Sequence, residues 1–193
     1  DINKYIFIIY KMSGSLHVII GSMFSGKSTE VIRLINRYKK IYKDNVLLIN
    51  HQFDNRYGDS VISSHDKLQI KCMSLDVLSG VFELEEFKNS KVVFVEEGQF
   101  FKDLYDFVVE CADNYNKILI VSGLDGDYQR QPFGDMLRII PHAETIKKLN
   151  AFCEVCGDGT LAGFTQRIVD SKEQELIGVK EYRAVCRKHY LNK

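Results

Sequence analysis

The feature that most limits how this chain can fold is an eight-residue loop, Gly21-Ser22-Met23-Phe24-Ser25-Gly26-Lys27-Ser28, set between an apolar run and a helical period. It fits the pattern G-x-x-x-x-G-K-[ST]. The run before it, Leu16-His17-Val18-Ile19-Ile20, reads as a buried strand. After it, Val31, Ile32, Leu34, Ile35 and Tyr38 recur at helical spacing through about Lys40. Chance produces the pattern in roughly one chain in a hundred of this length. An ordinary glycine turn does not explain why Gly, Lys and Ser fall in register where a strand feeds a helix. In that setting the glycines let backbone N–H groups turn towards phosphate oxygens, which lie at the positive end of the following helix. Lys27 is expected to reach the β- and γ-phosphates of ATP, and the Ser28 hydroxyl to bind magnesium.

Further apolar runs at Val46-Leu47-Leu48-Ile49, Val92-Val93-Phe94-Val95 and Ile118-Leu119-Ile120-Val121 suit strands covered on both faces. Segments near Leu75 to Glu86 and Asp103 to Asn114 read as helical, so strands and helices alternate. The predicted fold class is α/β: a P-loop NTPase-like open, mostly parallel sheet with flanking helices, its ligands gathered at the strand C-termini. After Leu149 the character changes to Cys, Gly and polar residues. The expected organisation is a P-loop domain over 12–149 and a small metal-stapled subdomain over 150–193. Residues 1–11 form an extension to which no role is assigned.

Glu96 and Glu97 follow the run 92–95 directly and should stand beside the phosphates. One carboxylate there can hold the hydration shell of magnesium while its neighbour orients an acceptor hydroxyl and takes its proton. A solvated Glu pair at a strand end is the plainer alternative, and the P-loop weighs against it. Five cysteines, an odd number, argue against a disulfide framework. Cys153-x-x-Cys156 and Cys186-x-x-His189 instead form two chelating pairs able to fill a tetrahedral shell, which points to structural Zn2+. Cys72 and Cys111 lie alone in expected core elements, and His17, His51, His65 and His142 carry no ligand spacing.

Three segments together carry a family resemblance: Gly21 to Ser28, Glu97-Gly98-Gln99-Phe100-Phe101, and Gly123-Leu124-Asp125-Gly126-Asp127-Tyr128-Gln129-Arg130-Gln131-Pro132-Phe133. They resemble type II thymidine kinases, zinc-containing P-loop enzymes, and the likeness runs from about Leu16 to Tyr190. The resemblance implies ATP-dependent phosphorylation of thymidine at its 5′-hydroxyl, with Glu97 as catalytic base. It implies ATP and magnesium contacts from Gly21, Ser22, Met23, Phe24, Ser25, Gly26, Lys27, Ser28, Glu96, Gly98 and Gln99, and from the further loop segment Asp54-Asn55-Arg56. Glu96 stands where the family commonly has Asp, one methylene longer. Phe100, Phe133, Met23, Leu124 and Thr165 resemble the wall around the thymine ring, and Tyr128 stands where several members have Phe. Gln174, Glu175, Leu176, Ile177, Gly178 and Tyr182 match the lasso that the zinc site anchors over the nucleoside. A homotetramer is implied by the resemblance alone.

Twenty-six basic residues balance twenty-six acidic ones, so no global field draws the chain to nucleic acid or to an anionic membrane. No stretch of the sequence approaches the ~20 apolar residues a spanning helix needs. The apolar run near the start is short for a signal segment and no small-residue cleavage site follows it, so a cytoplasmic location is expected. Two other readings compete: a nucleic-acid-stimulated P-loop ATPase with a zinc ribbon, for which the expected basic stripe is missing, and a non-catalytic zinc-held interaction module.

Overall fold

The structure, a computed structural model, describes residues 13–52, 61–63, 69–170, 178 and 180–192. Strand β1 (Ser15–Gly21) feeds helix α1 (Lys27–Tyr42) through the glycine loop. Then come β2 (Val46–His51), a short antiparallel ribbon of β3 (Val61–Ser63) and β4 (Gln69–Lys71), and β5 (Met73–Leu75). Helix α2 (Glu85–Asn89), β6 (Val92–Val95), α3 (Leu104–Asp113), β7 (Ile118–Gly123) and β8 (Thr145–Leu149) complete the larger part. Six strands form one sheet in the order β5-β2-β6-β7-β1-β8, every neighbouring pair parallel.

The continuous apolar runs follow from cover on both faces. Side chains alternate along a strand. Leu16, Val18, Ile20, Val93, Val95, Leu119 and Val121 therefore turn to one face, where Phe87, Leu104, Phe107 and Cys111 pack on them. Ile19, Leu48, Val92, Phe94, Ile118 and Ile120 turn to the other, against Val31, Ile32 and Ile35 of α1. Each such side chain taken fully from water contributes about 1.5–3 kcal/mol, so the two layers hold the sheet's carboxyl edge in a fixed place. The strands expected at residues 16–20, 46–49, 92–95 and 118–121 and the helices expected at 27–40 and 103–114 all form, with ends shifted by a residue or two.

The segment Leu75 to Glu86 is not the helix its composition suggested. Asp103 Oδ2 accepts the backbone N–H groups of Leu78 at 2.9 Å and Ser79 at 2.8 Å, which fixes a turn there. A 3-10 turn, Ser79–Glu83, follows, and Leu84 is extended (φ −74°, ψ 139°), so the chain is broken before α2 starts. β8 is the converse case. Its residues are largely exposed and carry no apolar run, yet it pairs along β1. Lys147 Nζ donates to Glu30 of α1 at 2.9 Å and Lys148 Nζ to Asp125 at 2.5 Å. Lysines on an exposed edge strand also discourage further pairing. Arg33 first, then Lys147, hold the Glu30 carboxyl down at about 2 against the opposing effect of its partial burial.

Beyond β8 lie β9 (Ala151–Phe152), β10 (Leu161–Ala162), β11 (Phe164–Arg167), β12 (Tyr182–Val185) and α4 (Arg187–Leu191). They enclose a small core of Ala151, Cys153, Ala162, Ala184, Val185, Cys186 and Tyr190, against which Phe24 of the glycine loop packs. Among the described residues no helix is long and apolar enough to cross a membrane.

Asp103→Ala removes a charged acceptor from two backbone donors, and bonds of that kind contribute about 1.5–3 kcal/mol each before compensation by water. The expected loss is about 1–3 kcal/mol, read as a lower urea midpoint at unchanged slope; an unaltered midpoint refutes this account of the turn.

Candidate active site

The glycine loop leaves β1 at the carboxyl edge of the sheet and enters α1 through Gly26, whose φ of 82° lies in the left-handed region where a side chain is strained. Lys27 turns back over the loop, donating from Nζ to the carbonyls of Ser22 at 2.8 Å and Gly21 at 3.1 Å. Its ammonium is therefore held over the glycine loop that opens α1, which suits it to phosphate oxygens. Across the edge, Ser28 Oγ donates to Glu96 Oε1 at 2.6 Å, and Glu96 is 3% exposed. Two oxygens this close, on a hydroxyl and a carboxylate, form the kind of pair that shares a magnesium shell at about 2.0–2.1 Å per ligand.

Glu97 follows in the left-handed conformation (φ 54°, ψ 42°). A non-glycine residue held there at a strand end is a strained position of the kind found at functional sites. The conformation sends the two neighbouring carboxylates apart, one towards the glycine loop and the other towards Gln99, whose Nε2 donates to Glu97 Oε2 at 2.6 Å. Gln99 Oε1 in turn accepts the N–H of Leu124 at 2.9 Å. Expected among the ATP and magnesium contacts, Gln99 has both ends of its carboxamide engaged by the carboxylate and by the loop after β7.

Beside this pair the aromatic residues cluster. Phe100 meets Phe133 edge to face, ring centroids 5.5 Å apart at 86°, and lies 5.5 Å from the buried ring of His51. Thr165 Oγ1 accepts the N–H of Met23 at 3.0 Å, and Ser22 Oγ donates to the Ala162 carbonyl at 3.2 Å. Those two bonds tie the glycine loop to β10 and β11. Tyr128 and Tyr182 flank Arg167: the guanidinium lies 3.8 Å from the centroid of the first ring and 5.1 Å from that of the second, and donates to the Tyr182 hydroxyl at 2.6 Å. Arg167 is a site-adjacent residue the sequence reading missed; a cation over an aromatic face leaves no spacing pattern. Tyr190 likewise went unnoticed. Its hydroxyl donates to the Tyr128 carbonyl at 2.7 Å and joins α4 to the aromatic cluster.

Asp54, Asn55 and Arg56, and Gln174, Glu175, Leu176 and Ile177, lie outside the described residues, as does His65. Gly178 is half-buried beside Glu181. His17 bonds to Ser15 and Thr145, and His142 to Tyr105, in keeping with a structural part for both.

The four expected metal ligands come together. Their donor atoms all lie within 4.8 Å of one another, and four of the separations are 3.4 Å (Cys156 and His189), 3.4 Å (Cys186 and His189), 3.5 Å (Cys153 and His189) and 3.8 Å (Cys156 and Cys186). A tetrahedron with Zn–S bonds of about 2.3 Å has edges of about 3.8 Å, so the donor set and its size fit zinc. Burial opposes ionisation of Cys153, yet backbone N–H groups of Cys186 and Cys156 bring its thiol down to about 6; burial first, then Cys153, push Cys156 up to about 11. A divalent cation supplies the charge that lets all three thiols ionise together. With four protein ligands the shell is closed, which suits a structural ion.

A glycine loop opening a helix, with a hydroxyl–carboxylate pair and a second carboxylate at the same edge of a parallel sheet, defines a P-loop phosphotransferase. The profile of the family described as Thymidine kinase matches residues 14–190. The chain is 43% identical over 178 residues to a "Thymidine kinase" of Sheeppox virus (strain KS-1), covering 92% of this chain and 97% of that one. It is 42% identical over 183 residues to a "Thymidine kinase" of Oryza sativa subsp. japonica, covering 93% and 67%. It is 40% identical over 188 residues to "Thymidine kinase 1" of Dictyostelium discoideum, covering 95% and 80%. The chain belongs to the thymidine kinase family.

Elemental analysis of the purified protein is expected to give about one zinc per chain, lost in Cys153→Ser and in Cys186→Ser. Thiolates and neutral imidazole bind the metal, so acidification protonates the ligands and releases it. Full retention at acid pH, or in either variant, contradicts the assignment.

Proposed function

We propose that the protein transfers the γ-phosphoryl group of ATP to the 5′-hydroxyl of thymidine, giving thymidine monophosphate. The observation that carries this reading is the placement of Glu97, strained and anchored, at the same sheet edge as the glycine loop, in a chain of the thymidine kinase family. In this reading the 5′-oxygen attacks the γ-phosphorus, the bond to the bridging β–γ oxygen breaks, ADP leaves, and Glu97 takes the hydroxyl proton. Lys27 and the loop N–H groups hold the phosphates. Magnesium bound with ATP neutralises phosphate charge, and Ser28 and Glu96 are the residues suited to hold it. Little covalent work falls to the protein, so positioning and charge account for most of the acceleration.

The nucleoside would lie against Phe100, Phe133, Leu124, Met23 and Thr165, under the segment from Gln174 to Gly178 with Tyr182, and Tyr128 would close one side. The ATP face would include Gly21 to Ser28, Gly98 and the segment Asp54 to Arg56. We further read residues 150–193 as a zinc-stapled subdomain serving the kinase domain over 12–149. That division is supported by the separate small core that encloses Cys153 and Cys186. A homotetramer, as the resemblance implies, and a cytoplasmic location complete the reading.

Lys27→Ala is expected to abolish transfer, because the phosphates lose their point charge. Glu97→Gln should lower kcat by about 10²–10⁴ while ATP still binds; if turnover at saturation survives and ATP affinity collapses instead, Glu97 is a ligand and not the base. Substrate choice gives an independent check. Main-chain groups around Leu176 to Gly178 that accept from thymine N3–H would face a lone pair in cytosine, and each buried mismatch costs about 1–3 kcal/mol. Thymidine should therefore exceed deoxycytidine by about 10²–10⁴ in kcat/KM, measured with labelled ATP and a nucleoside panel, and comparable values would refute the thymidine assignment while leaving a kinase.

A further inference from the structure

Gln99 is 3% exposed and both ends of its carboxamide are engaged inside the site: Nε2 donates to Glu97 Oε2 at 2.6 Å and Oε1 accepts from Leu124 N–H at 2.9 Å. The side chain is therefore a bridge. At one end stands the carboxylate that the proposed reaction uses, and at the other the loop after β7 that carries Leu124, an expected nucleoside contact. The socket around it is built close. Gly134 adopts a φ of +54°, and a Cβ there would come within 2.2 Å of the Gln99 carbonyl, so no larger residue fits without moving the Gln99 backbone. A Cβ on Gly123, the last residue of β7, would lie 2.5 Å from Gln99 Oε1, so a side chain there would displace the carboxamide.

An ionised glutamate side chain, even on a residue held in the left-handed conformation, has several rotamers open to it, and a base must be held near one geometry to act within hydrogen-bond reach of the proton it takes. The carboxamide supplies that restraint. It also fixes direction, because only the NH₂ end can donate to a carboxylate and only the oxygen can accept from an N–H. The amide orientation is thus set by its two partners.

We infer that Gln99 is a positioning residue for the reaction, holding the Glu97 carboxylate in place and referring its position to the nucleoside pocket through Leu124. The inference rests on the reading of Glu97 as base. Gln99 acts through Glu97 and touches no reacting atom. A donor to the charged carboxylate favours ionisation, so its loss raises the pH at which Glu97 ionises, and a like charge in its place raises it further.

The test uses the full-length, zinc-loaded enzyme with Gln99→Met and Gln99→Glu, alongside Glu97→Gln and the double variant Glu97→Gln with Gln99→Met. Zinc content and the KM for ATP report that each variant is folded. Gln99→Met is expected to lower kcat about 10- to 100-fold with a KM for ATP within about threefold of the parent. The acid limb of the kcat–pH profile should move up by about one pH unit, and by more in Gln99→Glu, which keeps the shape of the side chain and decides the matter if Gln99→Met does not fold. The double variant should be no slower than Glu97→Gln alone, since the bridge has nothing left to position. Parental kcat and an unmoved acid limb in folded Gln99 variants, with Glu97→Gln still impaired, overturn this inference and leave the base assignment standing. An unimpaired Glu97→Gln overturns both. Losses that multiply in the double variant assign Gln99 a role independent of Glu97 and overturn the positioning account.

Discussion

Six parallel strands, the inner ones covered on both faces, place all their carboxyl ends along one edge, and the arrangement of the candidate active site depends on that constraint. A parallel sheet must return each strand through a crossover, so the loops at the carboxyl edge are free of hairpin geometry and can carry function. β1 ends in the glycine loop, β6 in the two glutamates and β7 in Gly123 and Leu124. β6, β7 and β1 are adjacent in the sheet, in that order. Their ends meet for that reason, although Gly21 and Leu124 lie 103 positions apart in the chain.

The carboxyl-terminal part is joined to this edge by bonds that run to the glycine loop itself. Ser22 reaches the Ala162 carbonyl, the Met23 N–H reaches Thr165, and Phe24 packs on the small core that holds Cys153 and Cys186. Tyr190, one residue beyond the expected ligand His189, bonds the carbonyl of Tyr128. A metal closing the four-ligand cluster would thus fix more than the cluster, because β10, β11 and α4 each carry a contact to the site. This is the physical sense in which a structural ion serves a reaction taking place elsewhere.

Much of this was legible in the sequence where a local pattern has a single geometric meaning. The glycine loop is one such pattern. So are the doubly covered strands, which read as unbroken apolar runs, and the two chelating pairs, whose spacing already places two donors on one ion. β8 was not legible because an edge strand paired on one side needs no apolar face; its lysines answer to Glu30 and Asp125, residues remote in sequence. The expected helix at 75–86 failed for a related reason. Its helical composition was overruled by Asp103, an acceptor twenty-four residues downstream of Ser79. Arg167 and Gln99 belong to the same class: what they do is set by Tyr128, Tyr182, Glu97 and Leu124, and three of those four partnerships cross between elements.

The adjacent glutamates illustrate how much turns on one dihedral. In an extended strand, successive side chains point to opposite faces, and two neighbouring carboxylates at the end of a doubly buried sheet would enter the two apolar layers. The left-handed turn at Glu97 stops the alternation. Glu96 stays in line with β6 and meets Ser28, while Glu97 is carried out of the strand towards Gln99. The longer side chain at 96 spans to the hydroxyl at 2.6 Å, so the extra methylene relative to Asp is accommodated in the reach from β6 to the loop. One strained residue thereby separates two identical functional groups into two environments, a buried carboxylate bonded to Ser28 and one bridged through Gln99 to the loop after β7, and that separation is what permits the two to be assigned different work.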